Sequence, residues 1–121
     1  MRHLLVGLTM MAPLALVAMP AQAQANDPAA SVAIAQGDYA SAERTLLQEL
    51  RIHPGRPELL LNLAAVYSRT GRVNEAQTLY RQVLGQRDVL MDIAADRTAG
   101  SHAVANTGLR RIETASQLTV R

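Results

Sequence analysis

The chain has 121 residues, 49% of them hydrophobic and 18% charged, with twelve arginines, no lysine and ten acids. That is one small domain, too apolar for a disordered chain, and the absence of Cys excludes a disulfide scaffold, a thiol enzyme, a thiolate metal site and a lipidated cysteine. The pI of about 9.7 is not a nucleic-acid signature. Without Lys almost nothing titrates between neutrality and tyrosine, so a small Arg surplus holds the value high, and only Arg110 and Arg111 are adjacent.

The N-terminus has the layout of an export signal. Met1-Arg2-His3 is a short basic start, Leu4 to Ala18 is an apolar run, and Pro20 ends it. Ala21-Gln22-Ala23 offers small residues at the positions a signal peptidase reads, and Ala23-Gln24-Ala25 is a second such site. The run is too short to span a bilayer comfortably, and no twin-Arg pair precedes it. Residues 1–23 are therefore expected to be cleaved, leaving a periplasmic or secreted protein with no membrane attachment.

Four helices follow. Asp27-Pro28 reads as a cap and a first-turn proline opening a short helix that stops at Gly37. Asp38 caps a second, from about Tyr39 to Ile52, broken by His53-Pro54-Gly55. Pro57 opens a third, running to Thr70 and closing at Gly71, and a fourth spans about Val73 to Gln86. Each of the last three carries an apolar stripe at helical spacing: Tyr39, Ala42, Leu46 and Leu50; then Leu60, Leu63, Ala64 and Tyr67; then Val73, Ala76, Tyr80, Val83 and Leu84.

The helices echo one another at a spacing of 34 residues: Gly37 returns as Gly71, Ala30 as Ala64, Ala42 as Ala76 and Leu50 as Leu84. Glycine suits a helix end that must turn through a left-handed residue, and alanine lets antiparallel helices approach closely. On these residues the segment 28–88 resembles the tetratricopeptide repeat family. Gly37-Asp38-Tyr39 with Ala42, Leu46, Leu50 and Pro54 fits a second repeat helix, and Leu60 through Leu84 fits a complete repeat. The first helix is smaller than the family's habit, with Asn26, Ala29 and Ala33 on its register, and Asp88 stands where proline is common. Thr98 and Ala105 occupy the places where a third repeat would put its small residue and its glycine, so no third repeat is expected.

The remaining segment is read from composition. Residues 89–100 are expected to be a loop, with Asp92 and Asp96 solvated. Ser101 is expected to cap a helix over 101–113 that directs Val104, Leu109 and Ile112 inward against Tyr80 and Leu84, despite the cost of Gly108. Such a segment would close the array, and residues 114–121 would be a flexible tail. The fold expected is thus all-α: a helical repeat domain over 24–88, about one and a half to two units of a short right-handed α-solenoid of antiparallel helix pairs, with a C-terminal capping helix.

No constellation for chemistry is evident. Outside the leader the imidazoles are His53 and His102, neither with a carboxylate at helical ligand spacing, and both read as solvent-facing loop residues. There is no Gly-x-Ser-x-Gly turn and no Gly-rich phosphate loop. No catalytic residue, metal or cofactor is expected, and no nucleic-acid partner. The resemblance implies a protein-interaction module whose concave face, made by the first helix of each repeat, holds a peptide or partner helix. On the third helix the side opposite the core stripe carries Glu58, Leu61, Asn62, Ala65, Ser68 and Arg69. Leu61 and Ala65 would form a shallow apolar floor, Asn62 could bond a peptide backbone, and Arg69 could pair with a carboxylate. Some relatives clamp the C-terminal carboxylates of heat-shock chaperones, but only Asn62 resembles that clamp, so the specificity is not carried over. The alternative is a structural subunit that self-associates or joins a larger cell-envelope complex through the ends of the array.

Overall fold

A computed structural model describes residues 28–94 and 96–120; the leader, Asp27 and both Ala-Gln-Ala sites lie outside the described residues. The elements in order are α1 (Pro28–Gln36), α2 (Tyr39–Ile52), α3 (Pro57–Arg69), α4 (Val73–Leu84), β1 (Leu90–Ala94), β2 (Arg97–Gly100) and α5 (Ser101–Thr119). The chain is mainly helical, a short helical repeat array with a small hairpin inserted before its last helix.

The repeat is visible in the backbone. Among the described residues Gly37 and Gly71 are those with positive φ, 75° and 80°. At the first, Asp38 N donates to Ala33 O at 2.8 Å, and at the second Arg72 N donates to Tyr67 O at 2.8 Å. Both are the six-to-one bond of a Schellman turn, which satisfies orphan carbonyls while reversing the chain. The four repeat alanines fill the helix contacts: Ala30 is 2% exposed and Ala42, Ala64 and Ala76 are 0%. Around them pack Leu46, Leu60, Leu63, Val66, Tyr80 and Val83, all buried. Arg72 adds a surface tie. It lies 4.0 Å from the Tyr67 ring centroid and bonds Glu43 on α2 at 2.7 Å and Glu75 on α4 at 3.3 Å.

Three sequence expectations are corrected here. The segment 89–100 is not a loop: β1 and β2 pair antiparallel, with Leu90 opposite Gly100, Met91 opposite Ala99 and Asp92 opposite Thr98, and an irregularity between Asp92 and Ala94. Met91 is buried and joins the core, which gives the hairpin an anchor that a reading of turn-formers does not reveal. The stretch after residue 113 is not a frayed tail either, since α5 continues to Thr119. Hydroxyls of Thr114, Ser116 and Thr119 bond back to the carbonyls of Arg110, Ile112 and Ala115, so these polar residues are accommodated within the helix. Finally, α4 stops at Leu84 because Gly85 takes the C-cap position.

The start of α5 is fixed by a residue thirteen positions upstream. Ser101 is not the cap; Gly100 holds that position and Ser101 is fully buried in the first turn. Asp88 supplies the missing acceptor. Its Oδ1 receives His102 N at 3.0 Å and Ser101 Oγ at 3.1 Å, while Val89 N donates to Ser101 Oγ and Ser101 N to Val89 O. The His102 backbone N–H, first, holds the Asp88 carboxyl below its ordinary value, with the Ser101 hydroxyl adding to it. Gly100 is required beside it, since a Cβ there would sit 2.9 Å from the Asp88 oxygens. His102 is likewise no loop residue: half-buried in α5, its Nε2 meets Gln86 O at 2.8 Å, an N–H donating to a carbonyl.

Gly108 has an equally local reason. A Cβ at that position would meet the Tyr80 ring and lie 2.6 Å from its hydroxyl oxygen, so α5 can approach α4 only with glycine there. Alanine gains about 1 kcal/mol in helix propensity, but overpacking in a filled contact costs about 1–3 kcal/mol. Gly108→Ala should therefore lower the Tm measured by circular dichroism, and a Tyr80→Leu background should remove that loss. Asp88 sets an acid limit. A carboxyl lowered on folding contributes stability that is fully present above its unfolded value, near 3.8, and is lost as pH falls through the lower folded value. Asp88→Asn should reduce the Tm at neutral pH and flatten its decline below pH 4, read from thermal melts across the acid range.

Candidate functional site

The concave side of the array holds a groove of about 980 Å³ between α3, α5 and the hairpin. From α3 it is lined by Leu61, Asn62, Ala65, Ser68 and Arg69, and from α4 by Val73 and Tyr80. The hairpin contributes Ile93, Arg97 and Ala99, and α5 faces it with Val104, Thr107, Gly108, Arg111 and Ile112 and with residues further along the same stripe. The spacing explains the grouping: 61, 65 and 68 recur on one face of α3, and 104, 108, 111 and 115 on one face of α5.

The groove is hollow because small residues line it. Ala65, Ser68, Ala99, Ala103, Gly108 and Ala115 occupy positions where larger side chains would meet across the gap. Its base is apolar, with Leu61, Tyr80 and Ile112 buried, and its rim carries exposed arginines. Ser68 spends its hydroxyl on Ala64 O at 2.9 Å. Arg69 Nη1 reaches Ala65 O at 3.4 Å, a long contact that leaves most of its donors directed elsewhere.

Five of the six side chains singled out on the third helix thus line one concavity. Glu58 does not: it pairs with Arg56 at 3.5 Å near the start of α3, away from the groove. Leu61 also differs from a shallow exposed floor, being only 5% exposed. Helix α3 buries Leu59, Leu61 and Val66 beside the stripe of Leu60, Leu63, Ala64 and Tyr67, because it is covered on one side by α2 and α4 and on another by α5. The residues of the site that sequence reasoning missed, Ile93, Arg97, Thr107 and Arg111, belong to the hairpin and α5. For Thr107 and Arg111 the signal is the i, i+4 series Ala103, Thr107, Arg111, Ala115 and Thr119 on α5, whose full length shows only once residues 114–119 are helical; the hairpin residues Ile93 and Arg97 carry no such signal.

Among the described residues no group of three or more His, Asp and Glu is placed to hold a metal ion. No helix there is long and apolar enough to cross a membrane. The shifts that do occur have structural causes: Tyr67 is raised by burial, opposed by Arg72, and Asp38 is lowered first by the Ser41 hydroxyl and then by the N-cap bond from the Ser41 N–H.

A sequence profile of the family described as Tetratricopeptide repeat matches residues 33–89. Comparison with curated proteins and with solved structures gives no match. The matched span takes in the end of α1, all of α2, α3 and α4, and stops where the Asp88 cap begins; the hairpin and α5 lie beyond it. Burial of Leu61 carries a direct consequence. Leu61→Ala should cost about 2–5 kcal/mol in urea unfolding, and Leu61→Glu should impair folding, so neither variant separates binding from stability. An exposed rim position such as Arg69 should tolerate alanine within about 0.5 kcal/mol.

Proposed function

Its repeat region being a member of the tetratricopeptide repeat family, a family that generally mediates protein–protein interaction and is typically non-catalytic, we propose that this chain is a non-enzymatic interaction module of the periplasm. It binds a peptide or protein partner in the groove between α3 and α5. The observation that carries the reading is the hollow itself: buried apolar side chains at the base, small residues along both helices, and five α3 residues of the concave face open to it. An apolar groove with a polar rim is the setting in which a partner segment can bury apolar side chains while keeping its backbone and charges satisfied. The periplasmic assignment rests on the Met1 to Ala23 layout.

Site-specific photocrosslinking tests both parts. A photoreactive residue at Ser68 or Thr107, inside the groove, should give adducts with another protein in intact cells, recovered in the periplasmic fraction with the chain beginning at Gln24 or Asn26. The same residue at Gln48 or Gln82, exposed on α2 and α4, should give none. Adducts of equal yield from both faces, or adducts of the chain with itself alone, would replace the groove reading with that of a self-associating structural subunit.

A further inference from the structure

The charges around the groove all have one sign. Its lining includes Arg69 from α3, Arg97 from β2 and Arg111 from α5, and no Asp or Glu, although the chain as a whole nearly balances its twelve arginines with ten acids. All three are exposed, and among the described residues none makes an ion pair, whereas Arg56 and Arg72 outside the groove do. Glu43 and Glu75 hold Arg72, Glu58 holds Arg56 and Asp88 caps α5, while Asp92, Asp96 and Glu113, the acids nearest Arg97 and Arg111 in the chain, form no ion pair with them and do not line the groove.

Resting on the groove reading above, we propose that the occupant is an acidic segment from the interior of another protein's chain, its apolar side chains on the Leu61–Tyr80–Ile112 base and its Asp or Glu carboxylates on Arg69, Arg97 and Arg111. The base supplies burial and the arginines supply selection. A guanidinium presents paired donors that match a carboxylate, and three on separate elements address carboxylates at separate points along a bound segment. A basic segment would place like charges against the rim, which costs affinity and slows encounter. No free chain terminus is needed, because the arginines are spread over three elements and not gathered at one end. Two of the three, Arg97 and Arg111, lie outside the matched repeat, so the selection belongs to the added hairpin and helix.

The test uses the full chain and a random peptide library displayed within a loop of a carrier, so that no peptide terminus is free. The enriched pool should combine Asp and Glu with large apolar residues. A synthetic internal-sequence peptide from it, blocked at both ends, should bind the Arg97→Glu, Arg111→Glu double variant at least about tenfold more weakly. Its affinity should fall with added salt, and a peptide with its acids changed to Arg should bind the double variant better than the parent. Arg97→Gln and Arg111→Gln serve as milder variants if the reversal disturbs folding. Enrichment of neutral or basic peptides, or binding indifferent to charge reversal but lost in the groove-filling variant Thr107→Trp, overturns the acidic occupant and leaves the groove reading standing. Binding that survives Thr107→Trp as well, or a library without enrichment, removes both.

Discussion

A helical repeat stack this short ends on an apolar face that water cannot be allowed to reach. In a longer array the next repeat covers that face; here the chain after α4 continues as a hairpin and α5, and it is α5 that covers Tyr80. The molecule meets the constraint with α5, which packs on both α4 and α3 and contributes Ala105 and Ile112 to the common core. Two devices make that packing unique. Asp88 fixes where α5 begins by accepting the His102 N–H and the Ser101 hydroxyl, and Gly108 fixes how close it comes by leaving room for the Tyr80 ring. One sets the axial register and the other the distance, so the closing helix has little freedom left.

The same small residues that seal the inside open the groove. Ala30, Ala42, Ala64 and Ala76 sit between helices, where a missing side chain brings backbones together and leaves no void. Ala65, Ser68, Ala103 and Ala115 sit where the helices diverge, so a missing side chain leaves space. Gly108 does both, touching Tyr80 on one side and lining the groove on the other. Stability and cavity are therefore coupled at this point. A side chain added at residue 108 itself fills the groove and loads the α4–α5 contact at once, while Arg97 and Arg111 can be altered without touching that contact because their side chains are exposed.

What the sequence made legible follows from which interactions are local. The bounds of α1, α2 and α3 were readable from Pro28, Gly37, Asp38, Pro57 and Gly71, because caps and left-handed turns are decided within a few residues. The stripes of α2, α3 and α4 were readable from spacing for the same reason. The hairpin was not, since strands of five and four residues and mixed polarity take their stability from Met91 reaching a core built by other elements. Nor was the Asp88 cap, which spans thirteen residues and satisfies a helix start that looks self-sufficient because Ser101 stands there. Leu61 misled in a different way: on a helix covered from two directions, the face opposite the core stripe is still partly core, and spacing alone does not count the neighbours.

These non-local features also locate the individuality of the site. The repeat supplies a generic scaffold, and its α3 face would offer any partner the same alanine, serine and asparagine seen here. The hairpin and α5 convert that open face into a bounded one by adding a second wall with Val104 and Thr107 and a rim with Arg97 and Arg111. Because the Asp88 carboxylate accepts the His102 N–H and the Ser101 hydroxyl at the start of α5, its ionised form favours the packed position of this second wall. The hairpin and α5 thus add Ile112 to the apolar base and Arg97 and Arg111 to the rim, completing a groove whose other wall, with Leu61, Tyr80 and Arg69, belongs to the repeat.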